Sequence, residues 1–128
     1  MKIQIEILPK EKMRYDTVGD YYYTSDGALK IDIAETGVPL FNYMVLVHEL
    51  IELALLQQRG VDFAEIDRFD MEFEQERAEN YHDLEAEPGF DRRSPYQREH
   101  TLATAVEMLM CAHAGINWNE YSEIIVTL

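Results

Sequence analysis

Residues 39–58 read PLFNYMVLVHELIELALLQQ, a nearly continuous apolar segment that is interrupted by only a few titratable side chains. Proline is favourable in the first turn of a helix and glycine ends one, so Pro39 and Gly60 predict a single helix that runs to about Gln58. Apolar residues occur on every side of that helix, which is typical of a helix buried in a protein core. We therefore expect the fold to be built around it.

Three titratable residues interrupt this apolar segment, namely His48, Glu49 and Glu52. At about 100° per residue, His48 and Glu52 lie one turn apart on the same face, where two side chains can share one metal ion. Glu49 lies beside them and is placed to polarise a bound water. Because burying a carboxylate without a partner is costly, these residues require a cation, hydrogen-bond donors or a wet cleft.

The segment His48-Glu49-Leu50-Ile51-Glu52 resembles the active-site motif of zincin metallopeptidases, H-E-x-x-H. In that family the two histidines bind zinc and the glutamate is the general base. The resemblance implies that His48 is a metal ligand and Glu49 the catalytic base, and it puts Glu52 in the place of the second histidine. That substitution changes the charge and reach of the site. The resemblance thus implies either a metal-dependent peptidase or a pseudo-enzyme derived from one.

The residues before this helix have the pattern of strands. Apolar and polar residues alternate over 3–7 and again over 29–33, and 21–24 is rich in tyrosine. The Asp26-Gly27 pair is a hairpin turn signal. We expect three short strands in a small antiparallel sheet.

The residues after it predict further helices. Asp62 is a plausible N-cap for a helix over 63–80, with Glu65 as its capping-box partner. The polar segment 82–93 is predicted as a loop, and Ser94 is predicted to cap a helix over 95–114. Residues 117–128 are expected to form a short helix and an extended end. Residues 1–128 are thus predicted to be one zincin-like α+β domain with three main helices.

Further metal ligands are sought on these helices. His100 and Glu107 lie seven residues apart on one flank of the 95–114 helix; His100 is the first choice for the third ligand and Glu107 the second. Asp70 points partly inward and is either a fourth ligand or a group that orients a histidine. The alternatives are that Asp70 pairs with Arg77 or Arg68, and that His48 belongs to a satisfied polar cluster without a metal.

The composition limits the partners. With 25 acidic and 11 basic residues the formal charge is −14, which disfavours direct binding to nucleic acid or anionic lipid. The single cysteine, Cys111, excludes an intrachain disulfide and fits a reducing compartment. Neither a secretion signal nor an uninterrupted run of about 18 apolar residues is evident. We expect a cytoplasmic protein that does not bind membranes.

Two main functions are compatible with these features. The first is metal-assisted hydrolysis of a peptide or other amide, with His48, Glu52 and His100 holding zinc and a peptide or protein as substrate. Additional carboxylate ligands would move the preference towards manganese or iron. The second is a non-enzymatic acidic binding protein that mimics DNA or masks a partner through the carboxylates of residues 65–87.

A dinuclear carboxylate site ranks lowest, because the Glu-x-x-His spacing of such bundles is not met. The whole chain also resembles a group of small bacterial and phage-borne proteins. The residues that carry this likeness include Phe69-Asp70, Glu87-Pro88-Gly89 and Pro95-Tyr96. The likeness bears on the fold and not on the function.

Overall fold

The computed structural model describes all residues, 1–128, as a three-stranded sheet and four α-helices. The strands are β1 (Ile3–Leu8), β2 (Gly19–Tyr23) and β3 (Leu29–Ala34), and the helices are α1 (Pro39–Arg59), α2 (Phe63–Ala78), α3 (Gln97–Ala114) and α4 (Trp118–Val126). Short 3₁₀ turns lie at Lys10–Lys12 and Pro88–Phe90. The α+β class predicted from the sequence is confirmed.

The sheet is mixed, with strand order β1-β3-β2. β2 and β3 form the expected antiparallel hairpin, in which Tyr21 lies opposite Ile31. β1 lies on the other side of β3 and runs parallel to it, with Ile5 also opposite Ile31. The prediction of a wholly antiparallel sheet was therefore wrong for β1. Alternation of apolar residues reports which side chains share a face, but it carries no information about strand direction.

α1 lies against the sheet and α3, but it is not covered on every side as its apolar pattern predicted, since Tyr43 is 60% and Leu50 41% exposed. It begins at Pro39 and ends at Gly60, whose φ of 73° is the left-handed conformation that glycine adopts at helix ends. By length and mean hydropathy α1 is the one helix of this chain able to span a membrane, and half of that apolar window is buried within the domain.

The core has two parts. The larger one joins the buried face of the sheet to α1 and α2, and the smaller one joins α1 to α3 and α4. Residues of the larger part are Tyr21, Leu29, Ile31, Ile33, Val45, Leu53, Leu56, Phe63, Ile66 and Tyr96, and those of the smaller part are Phe41, Met44, Cys111 and Tyr121. α1 contributes to both, so it fixes where α3 lies relative to the sheet.

The ends of the later helices depend on their caps. Asp62 caps α2 as predicted, since its Oδ1 accepts a hydrogen bond from the backbone N–H of Ala64 at 3.0 Å. α3 begins at Gln97, two residues later than predicted, because the side chain of Ser94 caps a preceding turn instead. The chain has four helices and not three main ones, since the short tail helix α4 brings Tyr121 into the core.

Candidate metal centre

α1 and α3 pack side by side, and their facing sides carry a buried cluster of His48, Glu52 and His100. His48 Nε2 lies 2.6 Å from Glu52 Oε2 and 3.0 Å from His100 Nδ1. His100 Nδ1 lies 2.8 Å from the same Glu52 oxygen. Three donor atoms from two helices thus meet at one point.

The residue types of this cluster are ones that could hold a metal ion. Its members are 6%, 3% and 7% exposed for His48, Glu52 and His100, so little water reaches the donor atoms. Two imidazoles and one carboxylate are also the three protein ligands of a class of catalytic zinc sites, which keep a fourth position open for water or substrate. His100 on α3 thereby supplies the imidazole that the motif helix lacks at Glu52. The residues present therefore fit a zinc ion.

The carboxylate of Glu52 is held from both sides. Its Oε2 faces the two imidazoles, while its Oε1 accepts a hydrogen bond from the hydroxyl of Tyr21 at 2.9 Å. Tyr21 projects from β2, so the sheet fixes the orientation of a residue on α1. A buried tyrosine needs a hydrogen-bond partner for its hydroxyl, and Tyr21 in a predicted strand was the feature of the sequence that could have indicated such a contact. The contact with Glu52 was not predicted.

The charges of the cluster stabilise one another. Burial by itself lowers the pKa of a histidine, but the carboxylates of Glu52 and Glu107 outweigh it and raise the pKa of His48 well above its usual range. Burial is likewise outweighed at His100, where Glu52 and Glu87 raise the pKa to about 9. The two imidazoles lower the pKa of Glu52 to about 2 against the effect of burial. A cation that binds the imidazoles must therefore displace protons from them.

Glu107 was the second choice for a third ligand, and the structure places it behind His48. Its Oε1 contacts Nδ1 of His48, the ring nitrogen that faces away from the cluster, and its Oε2 accepts a hydrogen bond from Tyr121. A carboxylate in that position fixes the tautomer of a metal-binding histidine and makes the ring more basic. The arrangement assigns Glu107 to orienting His48, with Tyr121 holding Glu107 in turn.

We expect Glu107→Gln to weaken zinc binding by roughly 10–100-fold while the fold is kept, because His48 loses the charge that orients it. Competition with a chromogenic chelator measures the affinity, and Glu120→Gln, an exposed position on α4, is the matched control. An unchanged affinity would contradict the orienting role. A loss as complete as that of His48→Ala would make Glu107 a direct ligand.

Glu49 follows His48 on α1 and is only 8% exposed. Burial raises its pKa well above the usual range, and the negative charge of Glu52 raises it further. No side chain forms a hydrogen bond with its carboxylate. Gly19, the first residue of β2, packs directly against it: a Cβ at that position would lie 2.5 Å from Glu49 Cγ. The backbone of β2 therefore leaves just enough room for this side chain.

A cavity of about 370 Å³ adjoins the cluster and is lined by Glu49, Glu52, His48 and His100. Its other walls come from the segment before β2, the C-terminal turn of α4 and the loop that precedes α3. This volume is in the range of small-ligand sites. The cluster thus forms part of the wall of a space that a substrate could occupy.

Asp70 also lines the cavity but is not part of the cluster. Its two carboxylate oxygens accept hydrogen bonds from the hydroxyls of Tyr96 at 2.6 Å and Tyr15 at 3.1 Å. The alternative that Asp70 pairs with Arg77 was wrong, since Arg77 binds Glu74 instead. The structure brings His48, Glu52, His100, Glu107 and Glu49 together and leaves Asp70 with two tyrosines.

Burial raises the pKa of Asp70 to about 7, although the two tyrosine hydroxyls lower it in part. An unfolded aspartate loses its proton near pH 4, so between about pH 4 and 7 the folded state binds more protons and its stability falls as the pH rises. We expect urea unfolding to show that Asp70→Asn removes roughly 2 kcal/mol of the wild-type decrease between pH 5 and 7. Equal pH dependence in both proteins would contradict the raised pKa.

The loop between α2 and α3 covers His100. Its Gly89 packs against the imidazole face, and Phe90 contacts the ring edge with centroids 4.5 Å apart. Nε2 of His100, which faces away from the cluster, is buried and lies 3.4 Å from a carboxylate oxygen of Glu87. From the sequence, this segment was predicted only to be a polar loop. Its proximity to His100 depends on tertiary structure alone.

Comparisons of the chain with protein-family models, with curated proteins and with solved structures found no match. The zincin-like resemblance therefore rests on the motif at residues 48–52 and on the order of strands and helices. The geometry of the cluster and its cavity is the basis on which a function is proposed.

Proposed function

We propose that the protein is a zinc-dependent hydrolase of peptide or related amide bonds, in which His48, Glu52 and His100 hold the ion. The observation that carries the proposal is the convergence of two imidazole nitrogens and one carboxylate oxygen, 2.6–3.0 Å apart, beside a cavity. Zinc is preferred because its catalytic sites use this donor set. Iron(II) also accepts two histidines and one carboxylate, so it is the second choice, with manganese third.

A cluster held together by protons alone gives a less satisfactory account of this geometry. Each imidazole nitrogen carries at most one proton, and that proton points well at only one acceptor. Glu52 Oε2 is able to accept from both nitrogens, but the two nitrogens themselves then lie 3.0 Å apart with no hydrogen bond between them. A shared cation satisfies all three atoms at once, which supports a metal site over the satisfied polar cluster.

When bound, a divalent cation polarises the amide carbonyl and makes a water molecule more acidic. In the proposed reaction Glu49 accepts a proton from the water whose oxygen attacks the carbonyl carbon. Glu49 then donates that proton to the leaving amine nitrogen as the C–N bond breaks. Burial raises the pKa of Glu49, which favours the second step, since a carboxyl group with an ordinary pKa is a weak proton donor near neutrality.

The acidic binding protein receives less support. Its proposed face, residues 65–87, contains carboxylates that are already paired with arginines of this chain. These pairs are Asp67 with Arg14, Glu74 with Arg77 and Glu76 with Arg93. Paired carboxylates present less free negative charge to a basic partner than a phosphate-like array would require. The carboxylates of Glu49, Glu52 and Glu107 are buried, so they are not available to a partner at the surface.

The test of the hydrolase is an assay of zinc-loaded protein on a library of internally quenched peptides, repeated with manganese and iron(II). We expect Glu49→Gln to lower kcat by about 10²–10⁴-fold while zinc is retained, because the general base is lost. Glu65→Gln, which changes an exposed carboxylate outside the cavity, should leave the rate unchanged. No hydrolysis with any of the three metals would leave a metal-binding pseudo-enzyme. Hydrolysis that is unaffected by Glu49→Gln would overturn the mechanism.

A further inference from the structure

The cavity beside the cluster has no free basic side chain. Lys10 and Arg77 are the only lysine and arginine that line it. Lys10 forms an ion pair with Asp16 at 2.5 Å and donates to the backbone carbonyl of Leu128. Arg77 binds both carboxylate oxygens of Glu74, at 3.0 and 3.1 Å. A substrate carboxylate or phosphate would therefore find no unpaired cation in the wall.

Apart from Glu52 and Glu107, which contact the histidines, and Asp70, which binds two tyrosines, three carboxylates in the same wall have no lysine or arginine partner. They belong to Glu49, Glu85 and Glu87. Glu49 is more than nine-tenths buried and accepts no hydrogen bond from any side chain. Glu87 contacts only the far nitrogen of His100, at 3.4 Å, which puts its charge one imidazole ring away from the cluster. The unsatisfied charge of the cavity is thus negative.

The loop that carries Glu85 and Glu87 is fixed in place. The guanidinium of Arg77 donates to three backbone carbonyls of this loop. They are those of Asp83 at 2.8 Å, Leu84 at 2.7 Å and Ala86 at 2.5 Å. Because Arg77 is itself anchored by Glu74 on α2, the backbone of this loop is held at the cavity, and the exposed side chains of Glu85 and Glu87 lie at the cavity rim. Carboxylates of one sign at the rim of a cleft raise the local concentration of ligands of opposite charge.

We propose that this site selects peptide substrates that carry a protonated amine close to the bond to be cleaved, an inference that rests on the proposed hydrolase function. A bound divalent ion is balanced by Glu52 and Glu107, so it does not reverse the sign of the remaining charge. The ammonium group has two possible sources, the free N-terminus of the peptide or a lysine side chain. Peptides with a carboxylate in the same place are rejected, because they meet Glu49, Glu85 and Glu87 without a compensating cation.

The test uses zinc-loaded protein and four quenched peptides with one common core. The first has a free N-terminus, the second is N-acetylated, and two further acetylated peptides carry lysine or glutamate next to the cleavage site. We expect kcat/KM to be roughly tenfold higher for at least one of the two amine-bearing peptides than for the acetylated core, and lowest for the glutamate peptide. A preference for the first identifies an N-terminal amine as the recognised group, and a preference for the lysine peptide identifies a side chain.

Two matched variants distinguish the effect of charge at the cavity wall from the effect of the overall charge of the protein. Glu85→Gln/Glu87→Gln removes two charges from the cavity wall, while Glu65→Gln/Glu72→Gln removes two exposed charges outside it. We expect only the first variant to lose the preference when both are assayed at full zinc occupancy; Glu87 also contacts His100, so its loss should weaken zinc binding as well. Equal rates for all four peptides, or equal effects of both variants, would overturn the inference.

Binding of the same peptides, labelled with fluorescein, to wild-type protein from which the metal has been removed gives an answer that does not need turnover, and it keeps all three carboxylates in place. If no peptide is hydrolysed, the proposed function fails, but preferential binding of the amine-bearing peptides still supports the inference. Absence of any binding preference overturns it. The two failures are therefore distinguishable.

Discussion

The wild-type protein is expected to purify with about one equivalent of zinc, and His48→Ala and His100→Ala are expected to lose it. Each variant removes one of the three donor atoms that converge between α1 and α3. The matched control is His113→Ala, which removes an exposed histidine from α3 and should leave the zinc in place. The measurement is metal analysis by plasma mass spectrometry on protein expressed without a histidine tag and purified without chelator.

Stability has to be followed in the same experiment. Removing His48 leaves the buried carboxylate of Glu107 without a histidine partner and that of Glu52 with His100 alone, at a cost of about 3–5 kcal/mol. Glu52→Gln is therefore a second variant, because it preserves the side-chain volume and removes only the ligating charge. Zinc at 1,000 times its Kd should stabilise the wild type by about 4 kcal/mol and these variants far less.

Two outcomes of the metal analysis would contradict the predicted site, and they lead to different conclusions. Wild-type protein that holds no zinc, manganese or iron after incubation with each would remove the metal site and the hydrolase together. Equal zinc in wild type, His48→Ala and His100→Ala would place the ion elsewhere in the chain. Circular dichroism shows whether each variant is folded, so loss of metal is not confused with unfolding.

The substitution Gly89→Ala is expected to weaken zinc binding severely, although Gly89 contributes no donor atom to the cluster. A Cβ at Gly89 would lie 2.6 Å from Nδ1 and 2.5 Å from Cδ2 of His100, and the rigid, buried ring cannot absorb such a contact without moving. Moving the ring takes Nδ1 away from Glu52 and His48. We expect zinc affinity to fall at least 100-fold, with a loss of about 1–3 kcal/mol in stability from overpacking.

Gly19→Ala is the informative counterpart, because it crowds the neighbouring side chain instead. Its Cβ would clash with Cγ, Cδ and Oε1 of Glu49, so the side chain of the proposed base has to change its rotamer while the three donor atoms are not touched. Hydrolysis should therefore fall while zinc binding persists. Zinc titration followed by peptide assay distinguishes the two glycines. Normal zinc affinity in Gly89→Ala would show that the loop does not hold His100 in the position described.

Much of the fold was predictable because local patterns report local structure. The helix α1 was correctly bounded by Pro39 and Gly60, and the cap of α2 was correctly assigned to Asp62. In each case the signal is a propensity that acts within a few residues. The start of α3 was misplaced because Ser94 caps an irregular turn, a choice between two local structures that propensity alone does not settle.

The candidate site divides in the same way. His48 and Glu52 face one another because four residues of any α-helix return to the same side, so the sequence determined that pair. His100 was predicted as a partner from its residue type and its flank of α3. Its contact with His48 joins residues 52 positions apart, and only the packing of α3 against α1 decides that distance.

Local sequence patterns were sufficient to predict helix α1 and the β2–β3 hairpin, and composition gave the charge of the protein. Tertiary structure decided the parallel direction of β1, the place of Glu107 behind His48 and the partners of Asp70. It also decided that Gly89 lies against His100. The physical reason is one of range: periodicity and capping act along the chain, whereas these contacts join distant segments and exist only once α1, α3 and the sheet share a core.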